Sequence, residues 1–165
     1  MNGQIKNIQQ GFTLVEILLT LGIVAILLSH GIPYMRDAIL SQRVKNTASD
    51  LQISLNFARS EAIKRNASID IIPTGTWNGG WTIQTVAPAP ILTLKTMDAY
   101  SDLTISGPAG NITYLRSGRL SSAVTSFQVS IAGNSAIAMR CVNISINGMP
   151  NAKIDSDSNT ANGCN

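Results

Sequence analysis

Few residues in this chain carry side chains that could do covalent or metal chemistry. The sequence has one histidine, His30, and two cysteines, Cys141 and Cys164. Nucleophilic catalysis needs a nucleophile beside a positioned base, and a metal site needs several convergent ligands. His30 stands at the end of an apolar run, with no cysteine or carboxylate close to it in the sequence. The sequence therefore predicts no catalytic residue, no metal site and no cofactor, and an enzyme is not expected.

Glu16 is the residue whose position most needs an explanation. It is the single acidic or basic residue among residues 12–32, which are otherwise mainly apolar. A carboxylate inside a membrane costs about 2.5–3.5 kcal/mol on insertion scales, so it must be protonated, lie near the headgroups or have a positive partner. The segment itself contains no lysine or arginine. A free α-amino group at Phe12, created by cleavage after Gly11, would supply a suitable cation.

The apolar run around Glu16 is long enough to cross a membrane. As a helix, residues 12–32 span about 30 Å, the thickness of the hydrocarbon core of a bilayer. A secretory signal peptide has a shorter apolar region and a small-x-small cleavage site after it, and no such site follows residue 32. Lys6 lies in the short polar leader and marks the inner side. The segment is therefore predicted to anchor the chain with its body outside.

The composition fits one globular domain beyond this anchor. The 165 residues are 44% hydrophobic and only 13% charged, with a formal net charge of +3. Disordered chains and chains that coat nucleic acid need more charge and less apolar mass, so both classes are excluded. The length allows one sizeable hydrophobic core rather than two.

The helical pattern continues beyond the membrane segment. Small and apolar residues recur at steps of three and four between residues 40 and 62, which indicates one face of an amphipathic helix. One helix is predicted from residue 12 to Asn66, which suits the left-handed cap. Pro33 should bend it, because proline removes a backbone hydrogen bond and clashes with the preceding turn. Glu61 and Arg65 are predicted to form an ordinary surface pair.

Beyond residue 67 the pattern changes to that of strands. Short runs, several of them alternating, are separated by glycine, proline, asparagine and serine. The predicted fold class is α+β, with a long N-terminal helix, half in the membrane and half amphipathic, packed on an antiparallel β-sheet head. The polar stretch of residues 155–163 is predicted to form a C-terminal loop. The predicted strands are residues 69–71, 81–86, 91–97, 103–106, 112–115, 127–131 and 136–146.

The start of the apolar run carries a specific motif. The sequence GFTLVE at residues 11–16 resembles the type III signal of type IV pilins and of type II secretion pseudopilins. In that family a prepilin peptidase cuts after the glycine and methylates the new N-terminal phenylalanine, a glutamate stands fifth after the cut and a proline stands twenty-second. Glu16 and Pro33 occupy those places. The resemblance implies cleavage between Gly11 and Phe12, N-methylation of Phe12 and a role for Glu16 as the charge partner in assembly.

Further motifs narrow the resemblance to one branch of that family. LNFARSEAIKRN at residues 55–66, WNGGW at residues 77–81 and YLRSGR at residues 114–119 resemble the GspH/FimT branch, which also includes FimU. This branch contains minor pseudopilins of type II secretion and minor pilins of type IV pili. Trp77 and Trp81 are predicted to pack in the core or the hairpin rather than to form a ligand platform.

The two cysteines are expected to form a disulfide. On the predicted topology both lie outside the membrane, in an oxidising compartment, and they are the only two in the chain. A bridge between Cys141 and Cys164 would tether the C-terminal loop to the last predicted strand, and loop closure assigns it about 3 kcal/mol. The alternative, a metal site, lacks further ligands. In the family that the chain resembles, such a bridge is more usual in pilins than in secretion pseudopilins.

The resemblance implies a protein that acts by assembly. The expected function is that of a minor pilin of a type IV pilus, which supports pilus initiation and biogenesis, twitching, adhesion or DNA uptake. The alternative is a GspH-like minor pseudopilin of the type II secretion system. Expected partners are other pilins or pseudopilins, the prepilin peptidase, the inner-membrane assembly platform and the lipid bilayer.

The same resemblance divides the chain and places it in the cell. We expect an inner-membrane protein that crosses the membrane once, with its head in the periplasm, and that then enters a pilus or pseudopilus filament. The implied parts are a leader peptide at residues 1–11, a transmembrane and assembly half of the helix at residues 12–33, and a globular pilin domain at residues 34–165.

Binding of duplex DNA is expected to be poor. Some FimT-like pilins bind DNA through a Gly-Arg-x-Arg motif, and the matching stretch, residues 148–151, keeps the glycine and lacks both arginines. The guanidinium offers a fork of donors to phosphate that Met149 and Asn151 cannot replace. Arg116 and Arg119 form a separate, weak basic loop that is more typical of a solvated turn than of a binding site.

Overall fold

The computed structural model describes residues 11–86, 90–123, 126–134, 136–156 and 164. The chain divides into two compact units, the first ending at Ala38 and the second beginning at Ile39. The predicted leader apart from Gly11, and residues 157–163 of the predicted C-terminal loop, lie outside the described residues.

One helix, α1, runs from Leu14 to Arg65. Its first turn forms a capping box, in which the Glu16 amide donates to Thr13 Oγ1 at 3.3 Å and the Thr13 amide donates to the Glu16 carboxylate at 3.5 Å. The helix ends as predicted, because Asn66 takes the left-handed conformation with φ of 50°. It continues unbroken through Pro33, and the bend expected there stays a prediction.

In the second unit, one face of α1 is buried in the core. Val44, Ala48, Leu51, Leu55, Ala58 and Ala62 belong to one hydrophobic cluster with residues of the strands. This is the stripe that the spacing predicts, and Leu40 at its beginning is half-buried. Because most helical stability in proteins comes from the packing of an amphipathic face, the packing of this stripe, more than propensity, stabilises this part of the helix.

Within the described residues, eight short strands form two antiparallel sheets, whereas one sheet is predicted from the sequence. Sheet 1 has the order β3-β2-β1-β5 and sheet 2 the order β4-β6-β7-β8. The strands are β1 (Ile69–Pro73), β2 (Trp81–Thr85), β3 (Thr93–Met97), β4 (Thr104–Ser106), β5 (Ile112–Tyr114), β6 (Phe127–Ser130), β7 (Arg140–Ile144) and β8 (Pro150–Ile154).

The C-terminal hairpin departs most from the strand prediction. The run predicted as one strand at residues 136–146 is a strand only from Arg140 to Ile144. Ile137 and Met139 before it are buried although they lie outside β7. β8 was not predicted, because its sequence PNAKI lacks alternation and begins with proline. β8 lies at the edge of sheet 2, where proline is tolerated because it has no N–H to donate to a neighbouring strand.

Aromatic side chains fill the core where the two sheets meet. Trp77 lies edge-on to Phe127 with ring centroids 4.8 Å apart, and Trp81 stacks on Tyr100 at 5.5 Å. Trp77 Nε1 donates to the carbonyl of Pro108 at 2.9 Å. The prediction that the tryptophans are packing residues is therefore confirmed, since both are buried.

The turn between the two tryptophans links the sheets through one side chain. The side-chain amide of Asn78 donates through Nδ2 to the Leu103 carbonyl and accepts through Oδ1 from the Ile105 backbone amide, both at 2.6 Å. Gly80 follows with φ of 84°, and a Cβ there would clash with the Met97 carbonyl oxygen. The turn thus requires glycine for its shape and Asn78 for its attachment to β4.

The predicted disulfide between Cys141 and Cys164 is formed. Cys141 is fully buried on β7, and the bridge spans 23 positions of sequence. The bridge therefore ties the chain near its C-terminus to sheet 2. The prediction placed Cys141 on the last strand, but β7, which carries it, is followed by β8 at the edge of the sheet.

Candidate functional site

The predicted cleavage junction lies directly before the helix. Gly11 and Phe12 are exposed, and no helix or strand includes them. Phe12 is 80% exposed. The bond between Gly11 and Phe12 is therefore exposed and lies outside regular secondary structure. Cleavage and N-methylation at Phe12 stay predictions.

Glu16 has a local partner that the sequence analysis missed. Residues 12–32 contain no lysine or arginine that could pair with Glu16, but the T-x-x-E pattern from Thr13 to Glu16 is a capping-box signature. The contact of its carboxylate with the Thr13 amide is 3.5 Å long and therefore weak. Glu16 is also exposed, and its carboxylate forms no ion pair within the described residues. The capping box leaves its negative charge without a cation.

The remaining polar side chains of this segment satisfy themselves on the helix. Thr20 Oγ1 donates to the Ile17 carbonyl at 2.8 Å, and Ser29 Oγ donates to the Ile26 carbonyl at 2.7 Å. His30 Nδ1 lies 2.9 Å from Ser29 Oγ. No group of His, Cys, Asp or Glu among the described residues could hold a metal ion. His30 is therefore placed as a solvated residue at the end of the apolar run.

The surface of residues 14–32 is mainly apolar. Every residue from 14 to 32 is exposed, and α1 is long and apolar enough to cross a membrane by its length and composition. Soluble monomers rarely expose apolar patches of more than a few hundred Å². Gly22 and Gly31 have open space around their α-carbons, which lets another helix approach closely. This surface requires lipid or other apolar helices to cover it.

The basic turn, defined here as residues 115–120, gathers three arginines. Arg116 and Arg119 are exposed on it. The Leu115 amide donates to the Arg119 carbonyl at 2.8 Å and closes the turn. Arg59 from α1 donates through Nε to the Gly118 carbonyl at 3.0 Å. The position of Arg59 in this site could not be predicted from the sequence, because only the packing of the helix brings it to a turn that lies far away in the chain.

The turn between β7 and β8 packs directly against the basic turn. Gly148 has φ of 78°, and a Cβ there would clash with the Gly118 carbonyl oxygen. Tyr114 donates its hydroxyl to the Gly148 carbonyl at 3.0 Å. Burial raises the pKa of Tyr114 well above its usual value, so it stays a donor at physiological pH. The head thus joins residues 114–119 to residues 144–149 in one surface.

The pair of Glu61 and Arg65 differs from its prediction. Glu61 is buried rather than on the surface, and its side chain is only 10% exposed. Arg65 Nε donates to its carboxylate at 2.5 Å, and Lys64 lies 3.6 Å away. The hydrogen bond from Arg65 lowers the pKa of Glu61, against the effect of burial. The pair is therefore part of the packing of the head.

Two protein-family models match the chain. The model described as type II transport protein GspH matches residues 47–148. The model of the prokaryotic N-terminal methylation motif matches residues 6–29. No curated protein sequence gives a match.

Several solved structures share the fold of the head. The type IV minor pilin FimU of Pseudomonas aeruginosa strain PAO1 matches in one crystal form with a TM-score of 0.60 and 22% identity, covering 75% of this chain and 96% of that one. A second crystal form of FimU has a TM-score of 0.57 and 23% identity, with 73% and 99% covered. The minor pseudopilin EpsH of the type 2 secretion system of Vibrio cholerae has a TM-score of 0.52 and 15% identity, with 67% and 94% covered.

Proposed function

The chain belongs to the family of type II transport protein GspH, and we propose that within it this protein is a minor pilin of a type IV pilus. The family comprises minor pilins and pseudopilins, which are structural components and not enzymes. The assembly role that both classes share is supported by α1, which exposes apolar residues throughout its first half and buries a stripe in the head along its second half. A chain built this way supplies one helix to a membrane or a filament and one closed head. The observation that carries the choice of a pilin is the disulfide between Cys141 and Cys164.

We place the processing step at the junction of Gly11 and Phe12. The methylation-motif match over residues 6–29 supports this placement, as does the exposure of both residues. The prepilin peptidase would remove residues 1–11 and methylate Phe12. The product carries a cationic α-amino group four residues before Glu16.

Assembly would then pair that amine with a carboxylate on a neighbouring subunit. Glu16 holds a negative charge that its capping box does not neutralise. In a bilayer the isolated carboxylate is costly, so the amine of an incoming Phe12 neutralises it and sets the axial register of the two helices. The apolar helices pack together, and the heads lie outside them.

The rest of the proposal concerns where the protein acts. The precursor is held in the inner membrane by residues 12–33, with the globular domain of residues 34–165 in the periplasm. The inner-membrane assembly platform then transfers the mature chain to the filament. As a minor subunit it would support initiation and biogenesis of the pilus and, through it, twitching, adhesion or DNA uptake. We expect its own affinity for duplex DNA to be poor.

A minor pseudopilin of the type II secretion system is the second candidate. The match to the GspH model favours it, whereas the disulfide between Cys141 and Cys164 favours a pilin. Shearing of surface filaments separates the two, because a pilus subunit is recovered with long extracellular fibres and a pseudopilus subunit stays with the cell envelope. Recovery only in the envelope fraction would overturn the pilus assignment.

The assembly step is tested by two substitutions of one residue. Glu16→Gln removes the charge and keeps an amide that still completes the capping box, whereas Glu16→Val removes both. We expect both variants to insert in the membrane and both to fall at least about 10-fold in the filament fraction, because a neutral side chain forms no ion pair. Quantitative immunoblotting of sheared fibres measures this.

Normal incorporation of Glu16→Gln would contradict the charge-pairing step and leave helix capping as the role of Glu16. A matched control is Thr20→Val, which removes a hydroxyl that bonds only to its own helix. That variant should assemble normally. A loss with Thr20→Val equal to that with Glu16→Gln would mean that any change in the segment disrupts assembly.

The processing step is tested at Gly11. Gly11→Val should leave the leader attached, because the family's peptidase cuts after glycine, and the precursor should accumulate in the inner membrane. Intact-mass spectrometry of the membrane fraction distinguishes the precursor from a chain that begins with methylated Phe12. A wild-type chain that begins at Met1 would contradict the assigned junction.

A further inference from the structure

A cleft opens beside the basic turn, between the edge of sheet 1 and the end of β7 in sheet 2. It has a volume of about 250 Å³ and is lined by residues 119–123 and residues 144–146. The first wall is held to β5, because the Ser121 amide donates to the Thr113 carbonyl at 3.0 Å. The second wall is the last residue of β7 and the beginning of the turn to β8.

The walls of this cleft combine one cation with hydroxyl and aliphatic groups. Arg119 is the one lining residue with a cationic side chain, and the lining also includes serines 121, 122 and 145. Leu120, Ile144 and Ile146 supply the aliphatic part, and Ile146 is 84% exposed. None of the lining residues carries a carboxylate. Among the described residues no acidic side chain pairs with Arg119, so its guanidinium is available to an anion.

Hydrogen bonds hold the backbone of part of each wall. Ser145 closes the second wall, since its carbonyl accepts from the Gly148 amide at 2.8 Å and its Oγ from the Met149 amide at 3.2 Å. The hydroxyl of Tyr114 holds the Gly148 carbonyl from the side of sheet 1. A site whose backbone is already held loses little conformational entropy when it binds.

The size of the cleft limits what it can hold. Drug-sized ligands occupy pockets of roughly 300–1,000 Å³, so a cleft of about 250 Å³ accepts a group the size of one amino-acid residue. A phosphate chain would leave the three aliphatic side chains facing charge. A purely aliphatic group would leave Arg119 without an anion. The lining fits a carboxylate joined to an aliphatic side chain.

We infer that this cleft binds the C-terminal carboxylate of a polypeptide whose last residue is aliphatic. The guanidinium of Arg119 takes the carboxylate through two parallel hydrogen bonds. The aliphatic side chain of the ligand packs between Leu120 and Ile144, and the serine hydroxyls serve the last peptide group. The head thereby carries a docking site for the end of another protein chain, separate from the helix that assembles.

The inference is tested with minimal probes on the full chain in lipid nanodiscs. The probes are N-acetyl-leucine and N-acetyl-leucinamide, which have the same shape and differ in the carboxylate. Methyl signals of the isoleucines report binding, because Ile144 and Ile146 line the cleft and Ile71 and Ile83 lie in the core. We expect the acid to shift the first two signals in a saturable way and the amide to bind at least about 10-fold more weakly.

Substitutions at the two arginines of the basic turn complete the test. Arg119→Gln should abolish saturable binding of the acid, and Arg119→Lys should leave an intermediate affinity, since lysine keeps the charge without the fork. Arg116→Gln is the matched control, because Arg116 is also exposed on the same turn but is not among the residues that line the cleft. It should bind like the wild type. Unchanged core signals show in each case that the head is folded.

Three results would overturn the inference. The first is equal binding of acid and amide, which would indicate an apolar patch without charge recognition. The second is equal loss with Arg116→Gln and Arg119→Gln, which would indicate diffuse attraction by the basic turn. The third is a stronger response of Ile144 and Ile146 to inorganic phosphate or a short DNA duplex than to N-acetyl-leucine, which would assign the cleft to a free phosphate or to nucleic acid, respectively. Each result is independent of whether the chain assembles in a pilus.

Discussion

The two halves of α1 share one backbone and differ in what surrounds their side chains. In residues 14–32 every side chain is exposed, and most are large and apolar. In residues 39–65 one stripe of small and apolar side chains is buried by the sheets, while the exposed residues are mainly polar and include only three large apolar side chains, Ile39, Ile53 and Ile63. The second half is therefore stabilised by its own chain. The first half has no such cover within the described residues and depends on lipid or on other helices.

Charged groups follow the same division. In the head Glu61 has Arg65 and Lys64 as partners, so its charge is neutralised locally. In the apolar half Glu16 has only the capping box. The second half of α1 is therefore stabilised by folding of its own chain, whereas the first half is stabilised by association with lipid or other helices. Three substitutions of head residues, each paired with a reference or control, break or sharpen this contrast.

The largest expected effect separates two leucines of the same helix. Leu51 is fully buried in the head, whereas Leu21 is 60% exposed in the apolar half. Leu51→Ala should reduce the free energy of unfolding of the head by about 4 kcal/mol, because it leaves a cavity. Leu21→Ala should leave that free energy unchanged. Denaturant unfolding of the full chain in detergent, followed by tryptophan fluorescence, reports the head, since both tryptophans lie there.

A comparable loss from Leu21→Ala would mean that the apolar half supports the head, and the contrast between the halves would be wrong. The amount of each variant in the filament fraction is the second measurement. Leu21→Ala should reduce that amount without reducing head stability, because it weakens the packing of the apolar helices.

The second effect concerns the covalent closure of the head. Cys141→Ser breaks the bridge to Cys164 and should cost about 3 kcal/mol of head stability, the value for closing a loop of about 20 residues. Thiol titration of the native wild-type chain should find no reactive thiol. The reference is the reduced wild type, which should lose as much stability as the variant. A variant as stable as the oxidised wild type would show that the bridge contributes nothing to the head.

The smallest effect depends on pH. The hydrogen bond from Arg65 lowers the pKa of Glu61 below its ordinary value of 4.5, so its stabilising contribution is complete above that value and is lost as the pH falls through the lowered pKa. Glu61→Gln should therefore cost about 1 kcal/mol at neutral pH. The difference from the wild type should shrink toward zero as the pH falls below the lowered pKa of Glu61. Urea unfolding at several pH values measures it.

Glu16→Gln serves as the counterpart in the apolar half. It should change head stability at no pH, because Glu16 contacts no residue of the head among the described hydrogen bonds and ion pairs. A pH-independent cost of Glu61→Gln would instead assign the effect to packing of the side chain.

Much of the fold could be predicted because its signals are local. The helix end at Asn66, the buried stripe and the packing of Trp77 and Trp81 follow from spacing and residue type over a few positions. The disulfide follows from the count of cysteines and the predicted compartment. Two local features were not predicted. β8 lacks alternation of apolar and polar residues, and Thr13 was not recognised as the capping partner of Glu16.

The division into two sheets could not be predicted in this way. It depends on Asn78, whose side chain fastens the first hairpin to β4. It also depends on the pairing of β4 with β6, across a long separation in sequence. Such pairings are decided by which strands bury the most apolar area together, and no short window of sequence contains that information.

The sequence by itself determined the parts of this protein that act outside the head. The anchor, the motif around Gly11 and Phe12, and the position of Glu16 are set by the order of residues along one helix. Only the tertiary structure decided the surface of the head, where Arg59 meets Gly118, Gly148 packs against the same turn and a cleft opens beside Arg119. The physical reason is range, because a helix is specified by neighbours three and four positions apart, while a surface formed by two sheets depends on contacts between residues far apart in the chain.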